Sequence, residues 1–206
     1  GELDFNFVAP LIISPHDSNV VYLGGNYLFK STNRGDTWEV VSGDLSKSSD
    51  LKRESTAIAS IAQSKENASL VYVGTDKGGF WVSQNGGETW EERIEGLPRG
   101  YIRSIVPSKF SSDRVYAAIS GLNDDDLKTY LMCSEDRGQH WRSIAGNLFD
   151  EPANVLIEDP VYENLLYAGT FRGVYCSTNR GKSWQLMGRN LPARSVADLV
   201  MQEREN

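Results

Sequence analysis

The chain has 206 residues, enough to bury a sizeable core as one domain, and its 39% hydrophobic and 10% aromatic content excludes a disordered polymer. No run of about 18 apolar residues offers a membrane-spanning helix, so membrane insertion is not expected. A formal charge of −7 argues against nucleic acid and anionic membrane surfaces as partners, since both reward a basic face.

The first apolar run is Leu11-Ile12-Ile13, followed by a turn-rich stretch from Ser14 to Asn19 and then Val21-Tyr22-Leu23-Gly24. Next comes an octapeptide, Ser31-Thr-Asn-Arg-Gly-Asp-Thr-Trp38. The same succession returns three times. Ala57 to Ala62, Ser64 to Ser69 and Val71-Tyr72-Val73-Gly74 precede an octapeptide from Ser83 to Trp90. Ile102 to Val106, Ser108 to Asp113 and Val115-Tyr116-Ala117-Ala118 precede one from Ser134 to Trp141. Val155-Leu156-Ile157, Asp159 to Asn164 and Leu166-Tyr167-Ala168-Gly169 precede one from Ser177 to Trp184. Then Ser195 to Met201 repeats the first apolar run alone. Short Tyr-centred apolar runs between turns read as buried strands, and nothing has helical period over a useful length.

The octapeptides start 52, 51 and 43 residues apart, which is the length of one four-stranded propeller blade, about 40–50 residues. The sequence therefore predicts an all-β fold: a β-propeller, or a segment of one, with four four-stranded antiparallel blades plus one extra strand. The blades are expected at about 8–45, 56–95, 101–147 and 153–188, with the extra strand at 195–202. A lone strand after the fourth blade predicts a piece of a larger propeller. Open end blades then predict self-association, with two copies hiding their exposed edges.

Within the octapeptide, Gly35, Gly87, Gly138 and Gly181 stand where a hairpin needs positive φ. Asn33, Asn85, Asp136 and Asn179 can bond nearby backbone N–H groups, as can the hydroxyls of Ser31, Ser83, Ser134 and Ser177. Trp38, Trp90, Trp141 and Trp184 supply apolar area to pin each turn against its blade. This pattern resembles the Asp-box, or BNR, repeat of sialidases, xyloglucan hydrolases, sortilin-type receptors and a photosystem assembly factor. Ile13-Ser14-Pro15-His16, Tyr22-Leu23-Gly24-Gly25-Asn26 and Ser143-Ile144-Ala145-Gly146-Asn147-Leu148 look like large bacterial sortilin-like proteins, often labelled glycosyl hydrolases. The resemblance implies an extracytoplasmic setting and a carbohydrate or protein ligand. It makes the octapeptides folding staples rather than catalytic acids.

Chemistry is harder to place. The sialidase Arg-Ile-Pro signature is absent, and no arginine triad can be assigned; Arg103 and Arg172 lie near expected strand ends where a propeller funnel opens. A glycosidase needs two opposed carboxylates. Glu158 and Asp159 end the first strand of the fourth blade, and Asp198 lies in the matching strand beyond it, so these are the acids expected nearest the channel. Asp124-Asp125-Asp126 tips the longest insertion within a blade, where loops on rigid scaffolds carry function. Trp81, with Phe80 and Tyr101, is a candidate aromatic platform for sugar rings. Cys133 and Cys176 each precede an octapeptide serine in neighbouring blades, so two free thiols are expected. Two histidines, His16 and His140, in turns give no metal-ligand spacing, and no cofactor motif is present. The sequence reading is a binding segment with no assembled catalytic set, or alternatively part of a glycoside hydrolase with channel-facing carboxylates.

Overall fold

The computed structural model describes residues 2–188 and 193–202. Its strands form four four-stranded antiparallel sheets, each a meander in chain order. The first blade holds β1 (Leu11–Ile13), β2 (Val21–Gly24), β3 (Leu28–Ser31) and β4 (Glu39–Val40). The second holds β5 (Ile58–Gln63), β6 (Val71–Thr75), β7 (Phe80–Ser83) and β8 (Glu91–Glu92). The third holds β9 (Tyr101–Pro107), β10 (Val115–Gly121), β11 (Asp126–Ser134) and β12 (Arg142–Ser143). The fourth holds β13 (Ala153–Glu158), β14 (Leu166–Thr170), β15 (Val174–Ser177) and β16 (Gln185–Leu186).

First strands of successive blades pack side by side, β1 on β5, β5 on β9 and β9 on β13. Serine hydroxyls stitch them: Ser60 Oγ donates to the Ile102 carbonyl at 2.9 Å, and Ser104 Oγ to the Leu156 carbonyl at 3.4 Å. Fourth strands are two residues long and mostly exposed, which keeps the outer edge short and blunt. The core therefore lies in the seams between blades. Tyr22, Leu28, Ile58 and Val73 fill the first seam; Tyr72, Phe80, Ile102 and Ala117 fill the second; Tyr116, Leu131, Leu156 and Trp184 fill the third.

Close approach across a seam dictates a glycine. A Cβ on Gly74 would lie 2.5 Å from Ile102 Cγ2, and one on Gly24 2.8 Å from Ile58 Cγ2. The third blade has Ala118 at this position, and the facing blade has Ala153 where the second and third blades have Ile58 and Ile102; both alanines are buried in the same cluster. The expected strand over 195–202 is not formed. Residues 193–202 carry no strand pairing, because a first strand takes its ladder from the second strand of its own blade, and none lies beside it among the described residues. The segment keeps only the seam contact. Val196 N–H donates to the Thr170 carbonyl at 2.9 Å, as Ile58 N–H does to that of Gly25 at 2.9 Å, and Val196 packs where a Cβ on Gly169 would sit.

All four octapeptides fold alike. Ser31 Oγ accepts from the N–H groups of Asn33 (3.2 Å) and Gly35 (2.8 Å) and donates to Asn33 Oδ1 (2.9 Å). Asn33 Oδ1 also accepts from Thr37 N–H at 2.9 Å, and its amide donates to the Thr37 hydroxyl at 3.0 Å. The glycines adopt φ of 98°, 105°, 92° and 79° at Gly35, Gly87, Gly138 and Gly181. The tryptophans pin their own turns, as Trp90 Nε1 does by donating to the Gly87 carbonyl at 3.0 Å, and also bind the preceding blade. Trp90 Nε1 donates to the Val41 carbonyl at 3.0 Å and Trp184 Nε1 to that of Ile144 at 2.8 Å, while the Trp141 ring meets Phe80 edge-on at 4.9 Å. An indole longer than its own blade edge reaches the neighbouring backbone; Trp38 remains 37% exposed.

Candidate functional site

Strand direction sorts the candidate residues onto two rims. Tyr101 opens β9, and Arg172 lies in the β14–β15 hairpin, on the rim that carries the hairpins and the blade-to-blade links. Glu158 closes β13 on the opposite rim, which carries the octapeptides, about 15–20 Å away along the strand. The candidates do not converge. Glu158 accepts from Ser108 Oγ at 2.8 Å and from Lys109 N–H at 2.8 Å, tying the third and fourth blades. Burial pushes its carboxyl above the usual range, against those two donors. Asp159 is buried and caps its own turn, accepting from Val161 and Tyr162 N–H at 2.9 Å each, as Ser14, Ser64 and Ser108 do in theirs. Asp198 is exposed and bonds the following N–H.

Trp81, Phe80 and Tyr101 form no platform. Phe80 is fully buried in the second seam, and Trp81 packs toward the first blade, lining an outer cleft of about 870 Å³ with Trp90, Glu39 and Glu88. Tyr101 instead stacks beneath Arg103, with the guanidinium 4.2 Å from the ring centre, and burial raises its hydroxyl pKa. Arg172 lies 3.8 Å from Glu151, a buried carboxylate that the sequence reading passed over. Glu151 accepts from the Tyr175 hydroxyl at 2.7 Å and that of Thr170 at 3.1 Å, and the Thr129 hydroxyl donates to its carbonyl at 3.0 Å. Both cysteines are free.

The insertion around Asp124 is what shapes the hairpin rim. β10 and β11 extend past the other hairpins and turn through Leu122–Asp124, with Asp125 at φ 56°. One wall of this hairpin faces a cavity of about 640 Å³ lined by Leu97, Pro98, Tyr130, Met132, Leu148 and Phe149. A second cavity of about 430 Å³ holds Lys52, Lys77, Arg99, Asp124 and Asp126, and shares Pro98 and Tyr130 with the first. Tyr130 donates to Asp126 Oδ2 at 2.6 Å and Lys128 N–H to Oδ1 at 3.0 Å, which lowers the Asp126 pKa. Burial and that same bond push the Tyr130 hydroxyl up to about 12. Beneath the link, buried Arg53 donates to the carbonyls of Gly78 (2.8 Å), Leu97 (2.6 Å) and Pro98 (3.2 Å), fixing the floor. The length of the insertion was the one sequence signal for this groove; its walls come from loops far apart in the chain. Among the described residues no group of His, Cys, Asp and Glu is arranged to hold a metal ion, and no helix is long and apolar enough to cross a membrane.

Four radial four-stranded sheets, core in their seams and a groove on the hairpin rim define a β-propeller segment. The family described as "Sortilin, neurotensin receptor 3" (Sortilin-Vps10) matches residues 78–204, and the chain belongs to that family. Vacuolar protein sorting/targeting protein 10 of Neosartorya fischeri is 28% identical over 156 residues, which is 70% of this chain and 10% of that protein. The oligoxyloglucan-reducing end-specific xyloglucanase of Emericella nidulans is 23% identical over 199 residues, 87% of this chain and 24% of the enzyme. Among solved structures, an ancestral GH74 enzyme superposes with a TM-score of 0.71 at 22% identity, covering 92% of this chain and 25% of the enzyme. The GH74 xyloglucanase of Xanthomonas campestris gives 0.69 at 20% identity, covering 87% of this chain and 30% of that one. The chain thus spans a tenth to under a third of the length of these relatives. The structural likenesses establish the propeller fold.

Proposed function

We propose that this chain is a ligand-binding segment of a sortilin-like β-propeller, offering the hairpin rim to a protein or glycan in an extracytoplasmic setting. One observation carries the reading: the acids at strand ends are engaged in holding the fold, while the hairpin rim has an open groove. Glu158 bridges two blades, Asp159 caps a turn and Glu151 is enclosed by Tyr175 and Thr170. None of these described carboxylates is presented with a second one across a shared cleft, as glycoside hydrolysis requires. The octapeptides then act as Asp-box staples, and the open end blades as surfaces for self-association.

A second reading has specific support. Two of the similar proteins are xyloglucanases by name, so the chain is alternatively part of a glycoside hydrolase. The decisive experiment sets binding against turnover. Xyloglucan oligosaccharides and a peptide array are offered to the chain, with reducing-end release monitored in parallel. Saturable binding without release supports the binding segment. Release that disappears in Glu158→Gln overturns it in favour of the hydrolase.

A further inference from the structure

We propose that the two joined cavities of the hairpin rim form one recognition groove for an acidic peptide segment. A bulky apolar side chain sits in the Met132 compartment and an adjacent carboxylate faces Lys52 and Lys77. This deepens, and rests on, the ligand-binding reading above.

The residue at one register position shapes the apolar compartment. Strand register places Met132 opposite Ala117, as Trp81 lies opposite Val73 and Tyr175 opposite Ala168. Those two rings lean into their seams, Trp81 against the first and Tyr175 against the third, where Met132 has only a thin, flexible chain. The longer β10–β11 hairpin then walls the space on one side. About 640 Å³ lies within the range of small-ligand and side-chain pockets.

The chemistry of the walls selects the occupant. The Tyr130 hydroxyl already donates to Asp126, that of Thr129 to the Glu151 carbonyl, and Ser143 Oγ accepts from Ala145 N–H. Lys128 and Asp150, the charged residues of the lining, are exposed, so Leu97, Pro98, Met132, Leu148 and Phe149 make up most of the surface a buried group meets, which suits a leucine or phenylalanine side chain that asks for no polar partner. Next door the balance is cationic in a chain whose net charge is −7. Lys52 and Lys77 are exposed, and neither is joined to a carboxylate among the described residues. Arg99 lies 3.3 Å from Asp50 on the groove's edge. Of the two carboxylates in the same cavity, Asp126 is bonded to Tyr130 and Asp124 stands at the hairpin tip. A ligand carboxylate beside an apolar anchor meets both compartments at once, and Pro98 and Tyr130 form the shared wall between them.

The test is fluorescence anisotropy of this chain with a labelled, end-blocked pentapeptide, a phenylalanine flanked by two glutamates on each side. Saturable binding is expected, weakened at least about tenfold by Lys52→Glu with Lys77→Glu, which reverses two exposed charges without touching the core. Met132→Trp, which places a bulkier ring in the compartment, is expected to abolish it. Replacing the peptide's phenylalanine with alanine, or its glutamates with lysines, is expected to do the same. Equal affinity for the lysine peptide, or unchanged affinity in the charge-reversed chain, overturns the groove. If peptide binding survives both variants and is lost in Arg103→Ala, the ligand lies in the channel, and the binding reading stands without this site. If no peptide or glycan binds and xyloglucan is hydrolysed, both fail.

Discussion

At the scale of single residues, the octapeptide serine is the hub on which each turn depends. Ser134 Oγ accepts from Gly138 N–H at 2.7 Å and Asp136 N–H at 3.2 Å, and donates to Asp136 Oδ1 at 2.7 Å. Ser134 is buried, so its removal leaves the buried Gly138 N–H without a partner and takes the bond from the partly buried Asp136 N–H. Ser134→Ala is expected to cost about 1–3 kcal/mol in urea unfolding, and a loss within error of zero would show that the hub is not needed. The third turn also differs in kind, since Asp136 and His140 replace the Asn and Thr of the first two. His140 Nδ1 lies 2.6 Å from Asp136 Oδ2. That bond, then the carboxylate's charge, raises the imidazole pKa. Slight burial works against ionising Asp136, but the His140 backbone and ring and the Ser134 hydroxyl outweigh it, bringing the carboxyl down to about 2. The signs are opposite for the two groups. The depressed Asp136 gives stability present above its unfolded pKa of 3.8 and lost as pH falls toward about 2. The raised His140 gives stability present below its unfolded pKa of 6.5 and lost as pH rises through the higher folded value. The turn is thus firmest between those unfolded values. Asp136→Asn is expected to return the His140 titration, followed by NMR, toward 6.5; an unmoved titration would exclude the pair.

At the scale of strands, the blades were legible in the sequence because each one repeats the same short list of demands. A Tyr-centred strand, a turn and an octapeptide recur, and their spacing alone marked four sheets in the right order. The seam partners were not legible, since they join residues in different repeats. Tryptophans expected to serve their own blade also reach the preceding one, and Glu151, Arg53 and Tyr130 meet partners from other loops. The insertion at Asp124 announced a special loop without announcing the groove beside it. The seam does leave one trace in hindsight: Gly74 faces Ile102, Gly24 faces Ile58, and Ala118 shares a cluster with Ala153. That pattern makes a quantitative claim. Gly74→Ala puts a methyl 2.5 Å from Ile102 Cγ2 and is expected to destabilise by about 1–3 kcal/mol. Ile102→Ala alone leaves a cavity and costs about 2–5 kcal/mol. Together they recreate the Ala118–Ala153 pairing, so the double variant is expected to be less destabilised than the sum of the two. Strict additivity in a double-mutant cycle would refute the seam's size-matching.

At the scale of the whole molecule, each blade buries one face against its successor and the other against its predecessor, so the two end blades determine how these 206 residues behave in isolation. Tyr22, Tyr72 and Tyr116 are almost completely buried by the blade that follows, while Val196 covers Gly169 with a single side chain at the far end. At the near end, Leu11 and Ile13 on β1 are 57% and 61% exposed. Val40 and Trp38 lie open in the same blade, and Phe5 stacks on Phe29 at 6.0 Å, covering part of that face. Contiguous apolar surface of this kind drives association until it is covered. Light scattering on the isolated chain is therefore expected to show a concentration-dependent dimer or larger species. Leu11→Lys with Ile13→Lys, both on the open face of β1, is expected to shift it toward monomer without altering the unfolding free energy in urea by more than about 1 kcal/mol, because neither side chain is buried. A monodisperse monomer across the concentration series, indifferent to those lysines, would mean that the first blade is closed off by its own N-terminal segment. Asp4 and Asn26 already show how that segment holds on, exchanging bonds of 2.8 and 3.1 Å across the β2–β3 hairpin.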